Sequence, residues 1–136
     1  MRAFLAAALL VLGVFALSCG DSDTSGPGPD KEPVPGWMKV RLSSTSADDG
    51  GIMFLLSGAQ IDSVRSSFPD LFPARFSPTA MRVIVAGSLT NGEVVAEVLV
   101  PDLEALASYT VAVEQVAARD TYEQRPASSV SLTLER

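Results

Sequence analysis

Histidine is missing from this chain altogether, and cysteine occurs once, at position 19. The first absence removes every histidine-dependent device: a Ser-His-Asp triad, a His-ligated zinc site, an imidazole general base. The second rules out a disulfide within the chain, so the fold must be held by packing and hydrogen bonds alone. Basic residues are also few, ten against sixteen acidic for a formal charge of −6, and nowhere do they gather into a run. Removing Arg2 with an N-terminal leader would leave nine against sixteen, or −7. Such a surface repels phosphate backbones and anionic headgroups, so nucleic acid is not an expected partner. No cofactor and no metal are expected either.

The one long uncharged run is residues 3–17, AFLAAALLVLGVFAL, behind a short positive start at Met1 and Arg2. As a helix it would span about 22 Å, short of the bilayer's hydrocarbon core, and it reads as the hydrophobic region of a signal peptide. Ala16-Leu17-Ser18-Cys19 closes it and resembles the lipobox of bacterial lipoprotein signals. Ser18 and Cys19 fit that pattern; Ala16 and Leu17 stand where the family prefers Leu and a small residue. Ordinary signal-peptidase cleavage would cut at the same bond but leave an unpaired thiol in an oxidising compartment. The resemblance implies instead a lipidated Cys19 that attaches the protein to a membrane of the cell envelope. Gly20 after the cysteine favours the outer membrane by the enterobacterial sorting convention. Residues 20–36, GDSDTSGPGPDKEPVPG, cannot bury enough apolar area to offset their ordering entropy. They are expected to form a tether of roughly 50 Å. The organisation is therefore a signal peptide (1–18), a lipidated cysteine with flexible linker (19–36) and one folded domain (37–136).

Within that domain the hydrophobic period is two. Met38, Val40 and Leu42 alternate with Lys39, Arg41 and Ser43, as in a strand with one buried face. Asp48-Asp49-Gly50-Gly51 reads as a solvated turn, and residues 52–56 as a central strand. Residues 59–64 form a weaker strand or a single helical turn. A strong strand at 81–86 (MRVIVA) is followed by Asn91-Gly92, which suits a tight hairpin. The return strand is 93–100, with Glu93, Val95, Glu97 and Leu99 on one side. Residues 109–113 and 130–134 alternate again, and the only helical candidate is 102–107. Six or seven short strands with regular turn signals predict an all-β, antiparallel sandwich.

Leu103, Leu106 and Tyr109-Thr110-Val111-Ala112-Val113 resemble the approach to strand F in fibronectin type III and immunoglobulin-like domains. The resemblance implies a single immunoglobulin-like sandwich of about seven strands. It also implies a tyrosine corner, in which the Tyr109 hydroxyl bonds to upstream backbone, and a closing strand at residues 128–134. Phe54-Leu55-Leu56-Ser57 with Ile61 and Val64 is similar to cohesin-type sandwiches, without their Asp-Pro pair near Gly58.

Residues 66–80, SSFPDLFPARFSPTA, are the most unusual stretch. Its prolines forbid a continuous helix, so it is expected as a long crossover loop. There Phe68, Phe72 and Phe76 either close an open end of the core or stand exposed as a partner-binding tip. Trp37 is expected to seal the bottom of the core. Tyr122, in a loop at 119–126, is a possible ligand contact that would stack on a sugar ring. Arg119, Asp120, Glu123 and Arg125 around it are expected as a solvated, mutually screening cluster. The carboxylates Glu93 with Glu97 and Asp102 with Glu104 lie close in sequence, but nothing builds a cleft around them for glycoside hydrolysis, and no catalytic residue is expected. The sequence thus predicts an envelope lipoprotein carrying a non-catalytic binding or structural module. The alternatives are a carbohydrate-binding accessory protein and, less favoured, a carboxylate-dependent hydrolase.

Overall fold

A computed structural model describes residues 31–136. Cys19, the signal segment and most of the expected tether lie outside the described residues. The described residues form an all-β sandwich of two antiparallel sheets. Its strands are β1 (Gly36–Ser44), β2 (Asp49–Ser57), β3 (Ser63–Arg65), β4 (Asp70–Ser77), β5 (Ala80–Leu89), β6 (Val94–Val100), β7 (Thr110–Ala118), β8 (Gln124–Arg125) and β9 (Val130–Glu135). One sheet has the order β3-β6-β1-β9 and the other β4-β5-β2-β7-β8. Among the described residues nine strands stand where about seven were expected, because 70–77 and 124–125 each add a ladder, while the weaker segment at 59–64 contributes only the short strand 63–65.

The period-two pattern becomes the core directly. Met38, Val40 and Leu42 of β1 face Ile52, Phe54 and Leu56 of β2 and Val83 and Val85 of β5, all essentially without solvent exposure. Each such side chain contributes about 1.5–3 kcal/mol by leaving water, and together they hold the sheets face to face. Trp37 is not among them. Opposite in parity to Met38, it lies half-buried on the outer face of the four-stranded sheet with the Arg65 guanidinium 3.9 Å above its ring.

Asn91-Gly92 does not close a hairpin between ladder partners. β5 belongs to the five-stranded sheet and β6 to the four-stranded one, so the turn carries the chain across the sandwich edge. Gly92 adopts φ 83° there. Its N–H donates to the Leu42 carbonyl at 2.8 Å, and the Asn91 side chain accepts from Ser44 N–H at 2.9 Å, pinning the turn to β1. β6 spends its backbone groups on β1 and β3 instead. A register shift opposite Val40/Arg41 buries Val95 and Ala96 in succession, so Val95 does not share a face with Glu97 and Leu99.

At the opposite end β2 stops at Gly58, with φ 133°. A Cβ there would come 1.9 Å from the Ser108 carbonyl oxygen, so glycine is required. The helical candidate is a short 3-10 segment, Leu103–Ser108, capped by the Asp102 carboxylate accepting from Glu104 N–H at 2.9 Å. The same carboxylate accepts from Val34 N–H at 3.2 Å, and Leu103 N–H donates to the Val34 carbonyl at 2.7 Å. The final residues of the expected tether are thereby fastened to the domain. Tyr109 is buried, and its hydroxyl donates to the Gln60 carbonyl at 2.8 Å, which ties the start of β7 to the β2–β3 connection. This bond reaches much further upstream than a tyrosine corner within one connection. The last strand, β9, pairs with β1 and not with β7.

Candidate functional site

The two outer faces of the sandwich differ in chemistry. On the four-stranded sheet charged side chains line the outward face around Trp37, and most of them are paired. Arg41 Nε donates to both Glu135 oxygens at 2.9 Å, Arg65 pairs with Glu97 at 2.7 Å, and Lys39 lies in register between Glu97 and Glu135. Such a ladder is solvated and self-satisfied. On the five-stranded sheet the outward residues are mainly apolar. Phe72 is 59% exposed, Phe76 58% and Ile84 39%, and Met53 and Leu55 beside them are half-buried. Contiguous apolar exposure of this kind marks interaction surfaces more often than scattered single residues do.

The stretch 66–80 builds one side of this face, as a strand and not as a crossover loop. Residues 70–77 pair with β5 along its length, Phe72 opposite Ile84 and Ala74 opposite Arg82. Pro73 is tolerated because β4 is an edge strand, where a missing N–H breaks no ladder in the sheet interior. The start of the strand then separates the three rings. Phe68, before the strand, packs against the core; Phe72 and Phe76 share the outer face with Ile84. Arg82 lies 5.0 Å over the Phe76 ring and forms a bidentate pair with Glu114, at 2.5 and 3.0 Å. That guanidinium holds the Glu114 carboxyl below its usual range. Glu114 reaches it because β7 carries a register shift between its Gln115 and Val113 pairings with β2, which sets Glu114 and Gln115 in succession toward the outer face.

Tyr122 lies at the far side of the same face. It is 83% exposed and is the one non-glycine residue with positive φ among the described residues, at 57°. A tight turn imposes that conformation: Tyr122 N–H donates to the Ala118 carbonyl at 3.2 Å, and Ala118 N–H to the Glu123 carbonyl at 2.9 Å. The ring borders a cleft of about 320 Å³ whose other walls include Gly51, Met53, Ile84, Gln115 and Gln124. No charged side chain lines it. Sequence reasoning singled out Tyr122, Phe72 and Phe76 but not Met53, Ile84, Gln115 or Gln124. The apolar run at 52–56 reads as a central strand and 81–86 as a strong strand, and only the sheet order reveals which side of each is open.

The acidic pair before Gly50 is no solvated turn. Asp49 is completely buried, accepting from the Ser44 hydroxyl and, at 3.3 Å, from Arg125. Arg125 also grips both Asp48 oxygens at 2.6 Å. Hydrogen bonds from Ser46 and Arg125 hold the Asp48 carboxyl below its ordinary range. Arg119 reaches the Ala47 carbonyl at 3.3 Å. Of the charges expected to screen one another in the 119–126 loop, Arg119 and Arg125 thus instead clamp the β7–β8 turn onto the β1–β2 turn.

Four further carboxylates are engaged in the same manner. Glu93 accepts from Thr90 N–H and hydroxyl at 3.1 and 2.7 Å, Glu97 from Arg65, Asp102 from the 3-10 segment, and Glu104 from Lys31. Wherever a carboxyl shift is resolved it is downward, opposite to what a general acid needs. Among the described residues no group of three or more acidic, cysteine or histidine side chains is arranged to hold a metal ion, and no helix is long and apolar enough to cross a membrane. No family model, no curated protein and no solved structure matches the chain.

Proposed function

We propose that this protein is a lipid-anchored, non-catalytic binding module of the bacterial cell envelope, which meets its partner through the outer face of the five-stranded sheet. The observation that carries this reading is the exposure of Phe72 and Phe76, 59% and 58%, on a face whose sandwich counterpart is covered by ion pairs. Hiding aromatic rings from water on a partner is the strongest driving term available to such a surface. Pro73 supports engagement through the face and not the edge. It removes a backbone donor from β4 and so weakens pairing with an added strand. The non-catalytic part rests on the absence of histidine and on the engagement of the carboxylates in clamps, caps and pairs.

The anchor is the lipid on Cys19, with the tether setting the domain off the bilayer. Cys19→Ala is expected to move the mature protein into the soluble fraction; unchanged membrane retention refutes the anchor. For the face, a photo-cross-linking phenylalanine analogue is placed at position 76 and, as control, at position 39, in cells that make the protein. Adducts at 76 that disappear on Phe72→Ser, with none at 39, are the expected result. Equal adducts at both positions, or none at 76, overturn the assignment of the face.

A further inference from the structure

The pairing register aligns the exposed side chains into a row perpendicular to the strands. Gln115 of β7 pairs with Met53 of β2, Met53 with Ile84 of β5, and Ile84 with Phe72 of β4. Beyond Gln115 the line steps two residues along β7: Gln124 of β8 pairs with Ala117, and Gln115, Gln124 and the Tyr122 ring line one cleft. From β8 to β4 it crosses four strand spacings, roughly 19 Å at about 4.8 Å each. The row has an aromatic ring at either end, aliphatic side chains in the middle and two amides near one end. Its neighbours Arg82–Glu114 and Arg125–Asp48 are neutralised pairs, and the unpaired charges closest in sequence to Tyr122, Asp120 and Glu123, are acidic.

We infer that this row is a subsite for a neutral, linear oligosaccharide of three to four rings. The inference rests on the reading of this face as a binding surface and names the chemistry of its ligand. A sugar ring presents a flat C–H face and a rim of hydroxyls. The C–H face lies against the π faces of Tyr122 and Phe72 and over Met53 and Ile84. The hydroxyls, donors and acceptors at once, meet the Gln115 and Gln124 amides, which also do both. Neither amide side chain has a hydrogen-bond partner within the protein among the described residues, so both are free to serve a ligand. An anionic glycan is disfavoured because the row holds no free cation and lies beside Asp120 and Glu123. The turn that holds Tyr122 in a left-handed conformation fixes the backbone from which the ring projects, so the entropy of ordering that segment is not lost on binding.

The test is calorimetric titration of the full-length chain in detergent with cellohexaose, chitohexaose and maltohexaose, and with a hexagalacturonate as the anionic control. At least one neutral hexasaccharide is expected to bind, its disaccharide at least tenfold more weakly, and the hexagalacturonate not at all. Tyr122→Ala and Phe72→Ala are each expected to weaken binding at least tenfold with an unchanged thermal midpoint, since both rings are solvent-exposed. Gln124→Ala, which alters no aromatic ring, is expected to weaken it several-fold. Failure of all three neutral probes, preference for the anionic one, or indifference to Tyr122→Ala and Phe72→Ala overturns the inference. If cross-links at position 76 capture a protein while no saccharide binds, the face stands as a binding surface and the saccharide assignment falls.

Discussion

The buried carboxylate of Asp49 provides a measure of how the two turn regions are held together. Its side chain is fully excluded from solvent, accepts from the Ser44 hydroxyl and lies 3.3 Å from Arg125. Asp49→Ala deletes both interactions and leaves the half-buried Ser44 hydroxyl only a long contact, 3.5 Å, with the Ser46 carbonyl. Hydrogen bonds to a charged group contribute about 1.5–3 kcal/mol each, and a poorly met donor adds a part of the roughly 1–3 kcal/mol that an unmet buried one costs. The guanidinium is not stranded, because it keeps both Asp48 oxygens at 2.6 Å. The net cost therefore falls below that of breaking an isolated buried ion pair and is expected near 2–3 kcal/mol. For a domain of this size that lowers the thermal midpoint by about 10–15 °C. Asp49→Asn retains an acceptor for Ser44 and is expected to cost about half as much. Asp48→Ala, whose side chain is 57% exposed, is expected to shift the midpoint far less than either. Differential scanning calorimetry at neutral pH with moderate salt reads all three. A midpoint lowered by less than about 2 °C for Asp49→Ala, or a larger loss for Asp48→Ala, would falsify the argument that burial makes Asp49 the anchoring member of the pair.

Phe54→Ala is expected to destabilise the domain by about 3–5 kcal/mol, because its ring is fully buried between the sheets. The double substitution Phe72→Ser/Phe76→Ser changes stability by no more than about 1 kcal/mol, and urea midpoints of the two proteins separate core from surface aromatics. Asp102, Asp48 and Glu114 all have lowered pKa values. For Asp102 the causes are backbone hydrogen bonds from Glu104 and Val34; for Glu114, the Arg82 pair. A depressed folded-state value means their contribution is complete above the ordinary carboxylate range and is lost as pH falls through the depressed value. Stability should hold from neutrality down to that range and then decline. Asp102→Asn should flatten part of the acid limb in urea unfolding series, and an acid limb identical to that of the parent chain would rule this out.

Much of the fold is legible along the chain. The alternation of Met38, Val40 and Leu42, the strand character of 52–56 and 81–86 and a short helical segment after Asp102 all follow from local pattern. These features depend on which side chains share a face or a turn, and that is written in spacing. The candidate site is legible only in part. Tyr122, Phe72 and Phe76 were recognisable as aromatics outside the regular core pattern. Their arrangement was not, because residues 66–80 carry three prolines, a signal of loop that an edge strand overrides once the missing N–H faces no interior partner. Trp37 and Asp49 misled in opposite directions. A large aromatic stood outside the core, and an acidic side chain stood inside it because Arg125, distant in sequence, arrived to neutralise it.

Amino-acid order by itself determined the class of structure: period-two hydrophobicity admits strands with one buried face, and the lack of histidine and of a second cysteine closes whole chemistries in advance. Only the tertiary structure decided which strands lie side by side. Pairing is a long-range choice, made where backbone groups and apolar faces are satisfied together, and it sent β5 and β6 into different sheets despite the Asn-Gly turn between them. The same choice brought Gln115, Met53, Ile84 and Phe72 into one row, and that row is a property of register across strands that no single segment contains.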